Sequence, residues 1–457
     1  MKSKLRKILG ALFCAVLTFS AFACDGGNDT PPSQDPPTEN PPQQEVLAEN
    51  GFTYKPNGNG YSIVGFQGAV NEVTIPTTFR GLPVISIEDK AFKDGYPSII
   101  NIPEGLLYIG NGAFENCRRL TNVTIPNSVK SIGENAFDGC SFLEYTVDGN
   151  GKYLGNETNP YLYLLDTTVT TMTEGSVNAN CKYIGANAFA NCSQMTRISI
   201  PNGVQSIGFN AFLSCIKLTQ VEIPTSVTEL QGGAFRYCSS LQTIEIPDSV
   251  TRIGGRVFAV CNKLAEIEIP ETVQELGAGV FEDCASLQEI TLPQSISVIP
   301  ESLFYRCDKL QTVEMKGEIT SIGMYAFSSC NSLQTMEIPN TVTFIDRYAF
   351  AECHNLESIV LSENIKAVSD YAFFYCNKLT NITLFNSVTE IGEFAFANCT
   401  QLQSIRIPQA METIEDSAFR NCNQLSLITY AGDADTWGNI EIGKYNEAIF
   451  QATKQYE

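Results

Sequence analysis

Two consecutive stretches of the chain, "LTQVEIPTSVTELQGGAFRYCSS" (residues 218–240) and "LQTIEIPDSVTRIGGRVFAVCNK" (residues 241–263), align without a gap. One cysteine near the end of each stretch marks the period, because cysteines recur every 23 residues from Cys192 to Cys422. Cys117 and Cys140 belong to the same series further upstream. A repeat of this length predicts a solenoid, in which each unit covers the apolar face of its neighbour.

The apolar pattern changes within each unit, which reads L-x-x-I-x-I-P-x-x-V-x-x-I-G-x-x-A-F-x-x-C-x-x. The I-x-I part alternates apolar and polar residues as a strand does, and the proline that follows has no N–H with which to continue the ladder. The A-F-x-x-C-x-x-L part spaces apolar residues three and four apart, which predicts a short helical turn. The I-G pair between them predicts a flexible corner. We therefore expect a parallel sheet of short strands on the concave side of the solenoid and helical turns on the opposite side.

The complete phrase, with its I-P-x-x-V-x-x-I-G-x-x-A-F-x-x-C core, resembles the BspA-like leucine-rich-repeat family of bacterial surface proteins over about residues 50–440. "GFTYKPNGNGYSIVGF" (residues 51–66) resembles the N-terminal hairpin cap of that family, with its turn at residues 57–60. "ITYAGDADTWGNI" (residues 428–440) resembles its C-terminal closing segment, in which Trp437 and Ile440 would cover the last repeat. The resemblance implies an α/β-type leucine-rich-repeat solenoid that is capped at both ends.

The sequence divides into five parts along the chain. They are a signal peptide (1–23), a Pro-rich disordered spacer (24–46), an N-terminal cap with the first strands (47–90), the 23-residue repeats (91–430) and a C-terminal cap (431–457). Within the repeats, residues 141–188 form a widened irregular unit, because Cys140 and Cys192 are 52 residues apart. We interpret this unit as structural variation with a protruding loop, and the alternative is a dedicated binding loop.

The first residues predict export from the cell. "MKSKLRK" is basic, and residues 8–23 are uncharged and mostly apolar, which is the layout of a secretory signal. The small residues before Cys24 also resemble a bacterial lipobox, although Ala21 stands where that motif usually has leucine. Because a Pro-rich, acidic spacer follows at once, we expect lipidation of Cys24 and a body held away from the membrane on the extracellular face of the bacterial envelope. Secretion is the alternative.

Charge and residue types limit the possible functions. The formal net charge of −21 repels nucleic acid and anionic lipid, so we expect membrane attachment through the lipid anchor only. The chain has one histidine, His354, and no C-x-x-C motif, so we expect no metal site and no cofactor. The repeated cysteines face the core as free thiols, and Cys353 and His354 cannot form a catalytic pair because adjacent residues of a turn point in different directions. We predict that the protein is not an enzyme and has no catalytic residue.

A row of glutamates marks the candidate binding face. These residues, called here the acidic strip, point outward from the predicted strands, and neighbours would be about 5 Å apart. The members are Glu222, Glu245, Glu268, Glu314 and Glu337 at the central outward position, and Glu266 and Glu289 at the alternate one. The strip is either a solvated face that keeps the sheet soluble or a binding site for a basic protein segment or a divalent cation.

The function that the sequence favours is non-enzymatic binding of other macromolecules at the cell surface. The family resemblance implies adhesion or recognition, with an extracellular protein ligand from the host matrix or another cell surface. The alternative is a structural or polysaccharide-binding envelope protein without an adhesin role. Polysaccharide binding predicts a run of outward aromatic residues, and the strands show almost none.

Overall fold

The computed structural model describes residues 47–457, so the predicted signal peptide, Cys24 and the spacer up to residue 46 lie outside the described residues. Residues 47–457 form a solenoid of about 17 turns with stacked parallel strands, which confirms the predicted fold class. Backbone hydrogen bonds between neighbouring turns run along three lines, and the strand lines are interrupted at several turns. Two of these lines are ladders of short strands, and the third is a ladder of turns.

The first ladder is built by the I-x-I-P part of each repeat, as predicted. Its strands pair in parallel with their equivalents one repeat away, for example Arg197 opposite Glu174. Isoleucines point inward and polar residues outward, because successive side chains of a strand alternate between its faces. The strands are Glu72–Thr74, Ile99–Asn101, Asn122–Thr124, Glu174–Ser176, Arg197–Ser199, Gln220–Val221, Glu289–Leu292, Thr312–Met315, Thr335–Glu337, Ser358–Val360, Asn381–Thr383, Ser404–Ile407, Leu427–Tyr430 and Thr453–Tyr456.

The second ladder is built by the residues just before the predicted corner, so the I of I-G belongs to a strand and the glycine follows it. All of its strands but the last contribute at least one buried aliphatic residue, such as Ile253, to the core. The strands are Leu82–Ile87, Tyr108–Ile109, Ser131–Ile132, Tyr163–Thr167, Tyr183–Ile184, Ser206–Ile207, Glu229–Leu230, Arg252–Ile253, Glu275–Leu276, Val298–Ile299, Ser321–Ile322, Phe344–Ile345, Ala367–Val368, Glu390–Ile391, Thr413–Ile414 and Glu441–Ile442. The sequence analysis did not predict this second ladder.

The A-F-x-x-C segment forms a ladder of turns rather than the predicted helical turns. In one repeat, the N–H groups of Ala211 and Leu213 donate to carbonyls three residues back, whereas those of Phe212 and Ser214 donate to Ala234 and Arg236 of the next repeat. This alternation requires a left-handed backbone at two positions per repeat, as at Ser214 with φ 59°. An α-helix keeps its hydrogen bonds within one segment, so it could not link neighbouring repeats in this way.

The core consists of equivalent side chains stacked along the solenoid axis. From Phe189 to Phe419 one phenylalanine per repeat stacks on the next, with ring centroids 5.1–5.9 Å apart. Each of these rings is almost fully buried between the two strand ladders and the turn ladder. Replacing one such phenylalanine by alanine typically costs about 3–5 kcal/mol, so this stack contributes much of the stability.

Both ends of the solenoid carry caps. At the N-terminal end, strands Leu47–Glu49, Phe52–Asn57 and Gly60–Phe66 form an antiparallel unit whose hairpin turns between Asn57 and Gly60, which confirms the predicted cap. A short strand, Thr78–Phe79, pairs with the start of the second ladder.

At the C-terminal end, the only two helices of the described residues, Ala434–Trp437 and Glu447–Gln451, close the core. Ile440 is buried there, and Trp437 packs against the core at 5.1 Å from the Tyr430 ring.

The widened unit at residues 141–188 interrupts both ladders and divides the core. Strands Thr146–Asp148 and Gly151–Leu154 form a hairpin, and Gly151–Leu154 pairs antiparallel with Tyr163–Thr167, which rejoins the second ladder. Tyr163 replaces the phenylalanine of the stack and meets Phe137 edge-on at 5.9 Å. The buried residues form one cluster before this unit and a second cluster after it, and the two meet at residues 153–184.

We predict that Val260→Asn raises the free energy of unfolding by about 1 kcal/mol. Val260 holds φ 62°, a conformation that strains a β-branched side chain, whereas Asn191, Asn398 and Asn421 occupy the equivalent position elsewhere. Denaturant unfolding followed by circular dichroism measures the change. Ser214→Val is the matched control at the same position, and it should destabilise the protein by a similar amount. Equal stabilities for the three proteins would show that the turn ladder carries no such strain.

Candidate functional site

The first ladder carries all seven residues of the predicted acidic strip on its outer face, and every one of them is exposed. Glu289, Glu314 and Glu337 lie within strands, so their outward direction follows from the alternation. The remaining four lie at or after the end of strand Gln220–Val221, where the ladder has no strand until Glu289. Buried Ile244, Ile246 and Ile269 show that the side chains nevertheless keep the same alternation there.

Strand pairing is therefore lost in the part of the strip that contains Glu222, Glu245 and Glu268. Like charges directly opposite each other destabilise strand pairing, and these three glutamates occupy equivalent positions in consecutive repeats. The second ladder stays continuous through the same repeats, from Glu229–Leu230 to Glu275–Leu276. The acidic strip thus lies on the less tightly bonded side of an otherwise regular stack.

A groove of about 970 Å³ lies over the N-terminal end of the strip. Glu222 and Glu245 line it together with polar residues of the preceding repeats, among them Ser199 and Thr219. Arg197, which the sequence places outside the strip, also lines the groove, and its guanidinium bonds Glu174 at 2.7 Å. The groove is open and shallow in character, with strand side chains as its floor, so it suits an extended polymer better than a small enclosed ligand.

Twelve carboxylates outside the acidic strip lie within ion-pair distance of a lysine or arginine in residues 47–457. Arg252 bridges Glu229 and Glu275, Arg256 bonds Glu282 at 2.9 Å, and Lys316 bonds Glu271 at 2.8 Å. Within residues 47–457, no carboxylate of the acidic strip forms an ion pair of this kind. One member of the acidic strip, Glu314, accepts a hydrogen bond from the Thr291 hydroxyl at 3.0 Å.

The repeated cysteines are part of the core of the solenoid. All fourteen cysteines of the described part of the chain are free thiols, and thirteen of them are buried. From Cys215 onward each Sγ–H donates to the carbonyl of the phenylalanine 26 residues earlier, for example Cys307 to Phe281 at 3.1 Å. Burial raises the pKa of Cys238 to about 12, and it raises the pKa of Cys353 to about 12 as well. A thiol that stays protonated at neutral pH is a poor nucleophile and a poor metal ligand.

The single histidine lies outside any catalytic arrangement. His354 is exposed and its Nδ1 lies 3.1 Å from the Tyr375 carbonyl oxygen, whereas Cys353 points into the core and bonds the Phe327 carbonyl. The part of the chain that the structure describes contains no group of three or more His, Cys, Asp or Glu residues arranged to hold a metal ion. In the same part, neither helix has the length and apolar character that crossing a bilayer requires.

The structure also reveals an aromatic surface that the sequence analysis missed. Tyr325, Tyr348, Tyr371 and Phe394 occupy equivalent positions in four consecutive turns, and their rings stack on the outside of the turn ladder. The signal was present as aromatic residues at intervals of 23, directly before the A-F pair. It was overlooked because only strand positions were examined for outward aromatics.

Comparison with protein families gives one match. The BspA type Leucine rich repeat region matches residues 85–159, 182–311, 228–357 and 297–426, in six copies. These ranges cover most of the chain and leave out the middle of the widened unit and both caps. No curated protein matches the chain.

Several solved structures are similar to the chain. A leucine-rich cell surface protein from Faecalibacterium prausnitzii is 26% identical, with 87% of this chain and 98% of that chain covered and a TM-score of 0.38. A leucine-rich repeat protein from Bacteroides ovatus is 23% identical, with coverages of 84% and 99% and a TM-score of 0.44. A leucine-rich repeat protein from T. pallidum is 20% identical, with coverages of 63% and 91% and a TM-score of 0.25.

We predict that the buried thiols make the protein lose stability as the pH rises from about 9 to about 12. Burial raises the pKa values of thiols such as Cys238 and Cys353 to about 12, above the ordinary value of 9.0, so the folded chain keeps protons that the unfolded chain releases in this window. The stabilising contribution is therefore complete below pH 9 and is lost as the pH approaches the folded-state value. Thermal unfolding at neutral pH and at several values within the window measures the loss.

Tyrosine and lysine also titrate in this range, so the cysteine contribution needs its own control. Replacing Cys284 and Cys307 by alanine removes two fully buried thiols with raised pKa values and should reduce the loss over the window. If the variant and the original protein lose stability in parallel, the thiols are not responsible.

Proposed function

This chain belongs to the BspA-type leucine-rich repeat family of bacterial surface proteins, and we propose that it is a non-enzymatic protein that binds other macromolecules outside the cell. The preferred ligand is an extracellular protein of the host matrix or of another cell surface, which makes the role one of adhesion or recognition. The proposal is supported by the positions of the reactive side chains, since the cysteines serve the core and His354 lies isolated on the surface.

The observation that carries the proposal is the exposed, unpaired acidic strip. Ion pairs neutralise some of the other acidic residues of the stack, and Arg252 alone pairs with two of them. The strip instead leaves seven carboxylates facing solvent beside the groove at Glu222 and Glu245. A row of carboxylates about 5 Å apart creates a local negative potential, which steers basic surfaces toward it and accelerates association.

The chemistry of the strip selects the ligand. A basic protein segment supplies several cations at once and can follow the line of the repeats, so it gains from every carboxylate it meets. Divalent cations are a second possible ligand of the same carboxylates and could also bridge the strip to a protein. Nucleic acid is disfavoured because its phosphates would be repelled.

Reversing two charges at the centre of the strip tests the proposal. We expect Glu245→Lys with Glu268→Lys to slow association with basic extracellular matrix proteins by about tenfold, because steering depends on the local potential. The measurement is surface plasmon resonance of the purified full-length protein against a panel of basic and acidic matrix proteins, with and without calcium.

The matched control is Glu318→Lys with Glu412→Lys, which makes the same change in net charge at exposed positions outside the strip. Binding that both double variants weaken equally depends on net charge and not on the strip. If the strip variant alters neither protein binding nor calcium binding, the strip is only a solvated face. Binding of a neutral polysaccharide in place of any protein would favour the alternative, a polysaccharide-binding envelope protein.

We further propose that Cys24 carries the lipid that holds the protein on the envelope. The lipobox-like residues before Cys24 and the acidic, Pro-rich composition of the residues after it support this. Cells that express Cys24→Ala should release the protein into the medium and incorporate no fatty-acid label into it. Labelling of the alanine variant, or absence of label in the original protein, would contradict the anchor.

A further inference from the structure

The aromatic ladder, defined as Tyr325, Tyr348, Tyr371 and Phe394, is a regular feature of the outer surface. Ring centroids are 4.8, 4.6 and 4.9 Å apart along the row, and neighbouring planes differ by 13–17°. All four side chains are partly exposed, unlike the core phenylalanines that lie two residues further on in each repeat. The ladder is therefore a surface stack and does not fill the core.

The backbone does not require aromatic residues at these positions. Each of the four has a φ between 56° and 59°, in the left-handed region where glycine and asparagine cost least. Several other repeats have those residues at the equivalent position, among them Asn135, Asn187, Asn210, Gly233 and Gly279, and Lys90, Arg256, Ser302 and Ser417 show that other residue types also occur there. Stacking recovers about 0.5–1.5 kcal/mol per pair and so offsets part of the strain. An unfavourable conformation retained in four consecutive turns on an exposed surface points to a functional use.

The ladder has free ring surface at its C-terminal end. Inside the row each ring is covered by its neighbours, so a flat sugar ring would find no open face there. The next repeat carries Ser417 at the equivalent position, and the aromatic contacts of Phe394 are confined to Tyr371 and Phe374. Within residues 47–457 no lysine or arginine lies over a ring of the ladder.

An acidic row borders the same end of the ladder. Asp370, Glu393 and Asp416 immediately precede the ladder position in three consecutive repeats. Arg347 lies 3.6 Å from Asp370, and it is the only cation within ion-pair distance of these three carboxylates in the described chain. Burial raises the pKa of Glu393, and the charges of Asp370 and Asp416 raise it further. The carboxylates therefore repel one another, and an added cation would relieve the repulsion.

We propose that the aromatic ladder and this acidic row form a second binding surface, which takes an arginine-bearing segment of an extracellular protein. A guanidinium fits both parts of the surface, because it stacks on an aromatic face and bonds carboxylates at its edge. Lysine fits less well, since its compact ammonium cannot stack in this way. The surface lies on the turn ladder and the acidic strip lies on the first ladder, so the two sites are independent.

The test removes the rings without disturbing the backbone. Tyr348→Asn, Tyr371→Asn and Phe394→Asn together place at three positions the residue that Asn210 provides in the same conformation. The probe is a fluorescent oligoarginine peptide, and its dissociation constant is measured by anisotropy with the full-length protein at physiological ionic strength. We expect the triple variant to bind it roughly tenfold more weakly, and we expect the original protein to prefer it to an oligolysine peptide.

Three controls separate the outcomes. Tyr237→Asn removes another exposed tyrosine with a left-handed backbone, outside the ladder, and should leave oligoarginine binding unchanged. Glu245→Gln with Glu268→Gln removes two of the seven charges of the acidic strip and should also leave the ladder-dependent difference in place. Glu393→Gln keeps every ring and should weaken binding on its own, which preserves a test if the triple variant unfolds.

The proposal is overturned if ring removal leaves oligoarginine binding unchanged, or if Tyr237→Asn weakens it equally. It is also overturned if ring removal weakens oligolysine binding as much as oligoarginine binding, since net charge then explains the difference. If the triple variant no longer binds a neutral polysaccharide such as dextran but still binds the peptide as the original protein does, the ladder is a sugar-binding surface instead.

Discussion

Constant repeat length is the constraint on which this structure depends. Three backbone ladders link neighbouring turns, and in the regular repeats their hydrogen bonds join groups 22 to 24 residues apart. A single insertion would displace all three ladders at once and leave buried N–H and C=O groups without partners, at a cost of about 1–3 kcal/mol each. Between the two end turns of the described chain, extra residues are accommodated at 141–188, where a hairpin supplies new pairing and the core divides.

The same constraint explains why surface positions are free to vary while the core is not. Isoleucine, phenylalanine and cysteine recur because each must stack on its own equivalent one turn away, and Cys307 in addition donates to the Phe281 carbonyl. Outward positions meet no such condition. Repetition then multiplies whatever they carry, so one glutamate or tyrosine per repeat becomes a continuous strip. A solenoid of this kind builds linear binding surfaces and leaves little room for an enclosed catalytic pocket.

Periodicity predicted the repeat, the first ladder, the buried thiols and the outward direction of Glu245 and its equivalents. It could not separate a helical turn from the turn ladder, because apolar spacing of three and four residues satisfies both. What distinguishes them is a left-handed backbone at residues such as Tyr348 and Val260, and tyrosine and valine are not residue types that predict this conformation. Loss of strand pairing near Glu245 was not predicted either, because the I-x-I-P pattern continues through these repeats.

The acidic strip and the aromatic ladder differ in how strongly they indicate a binding function. An exposed glutamate on a strand is conformationally inexpensive, so the strip can be explained by solubility alone. Tyr348 in a left-handed backbone is not inexpensive, because Asn or Gly would serve the fold better at that position. Solubility gives no reason to retain aromatic rings on the surface of a chain with a net charge of −21. Strain that the fold does not need is therefore the stronger physical indication of a binding surface, and it lies outside the strands.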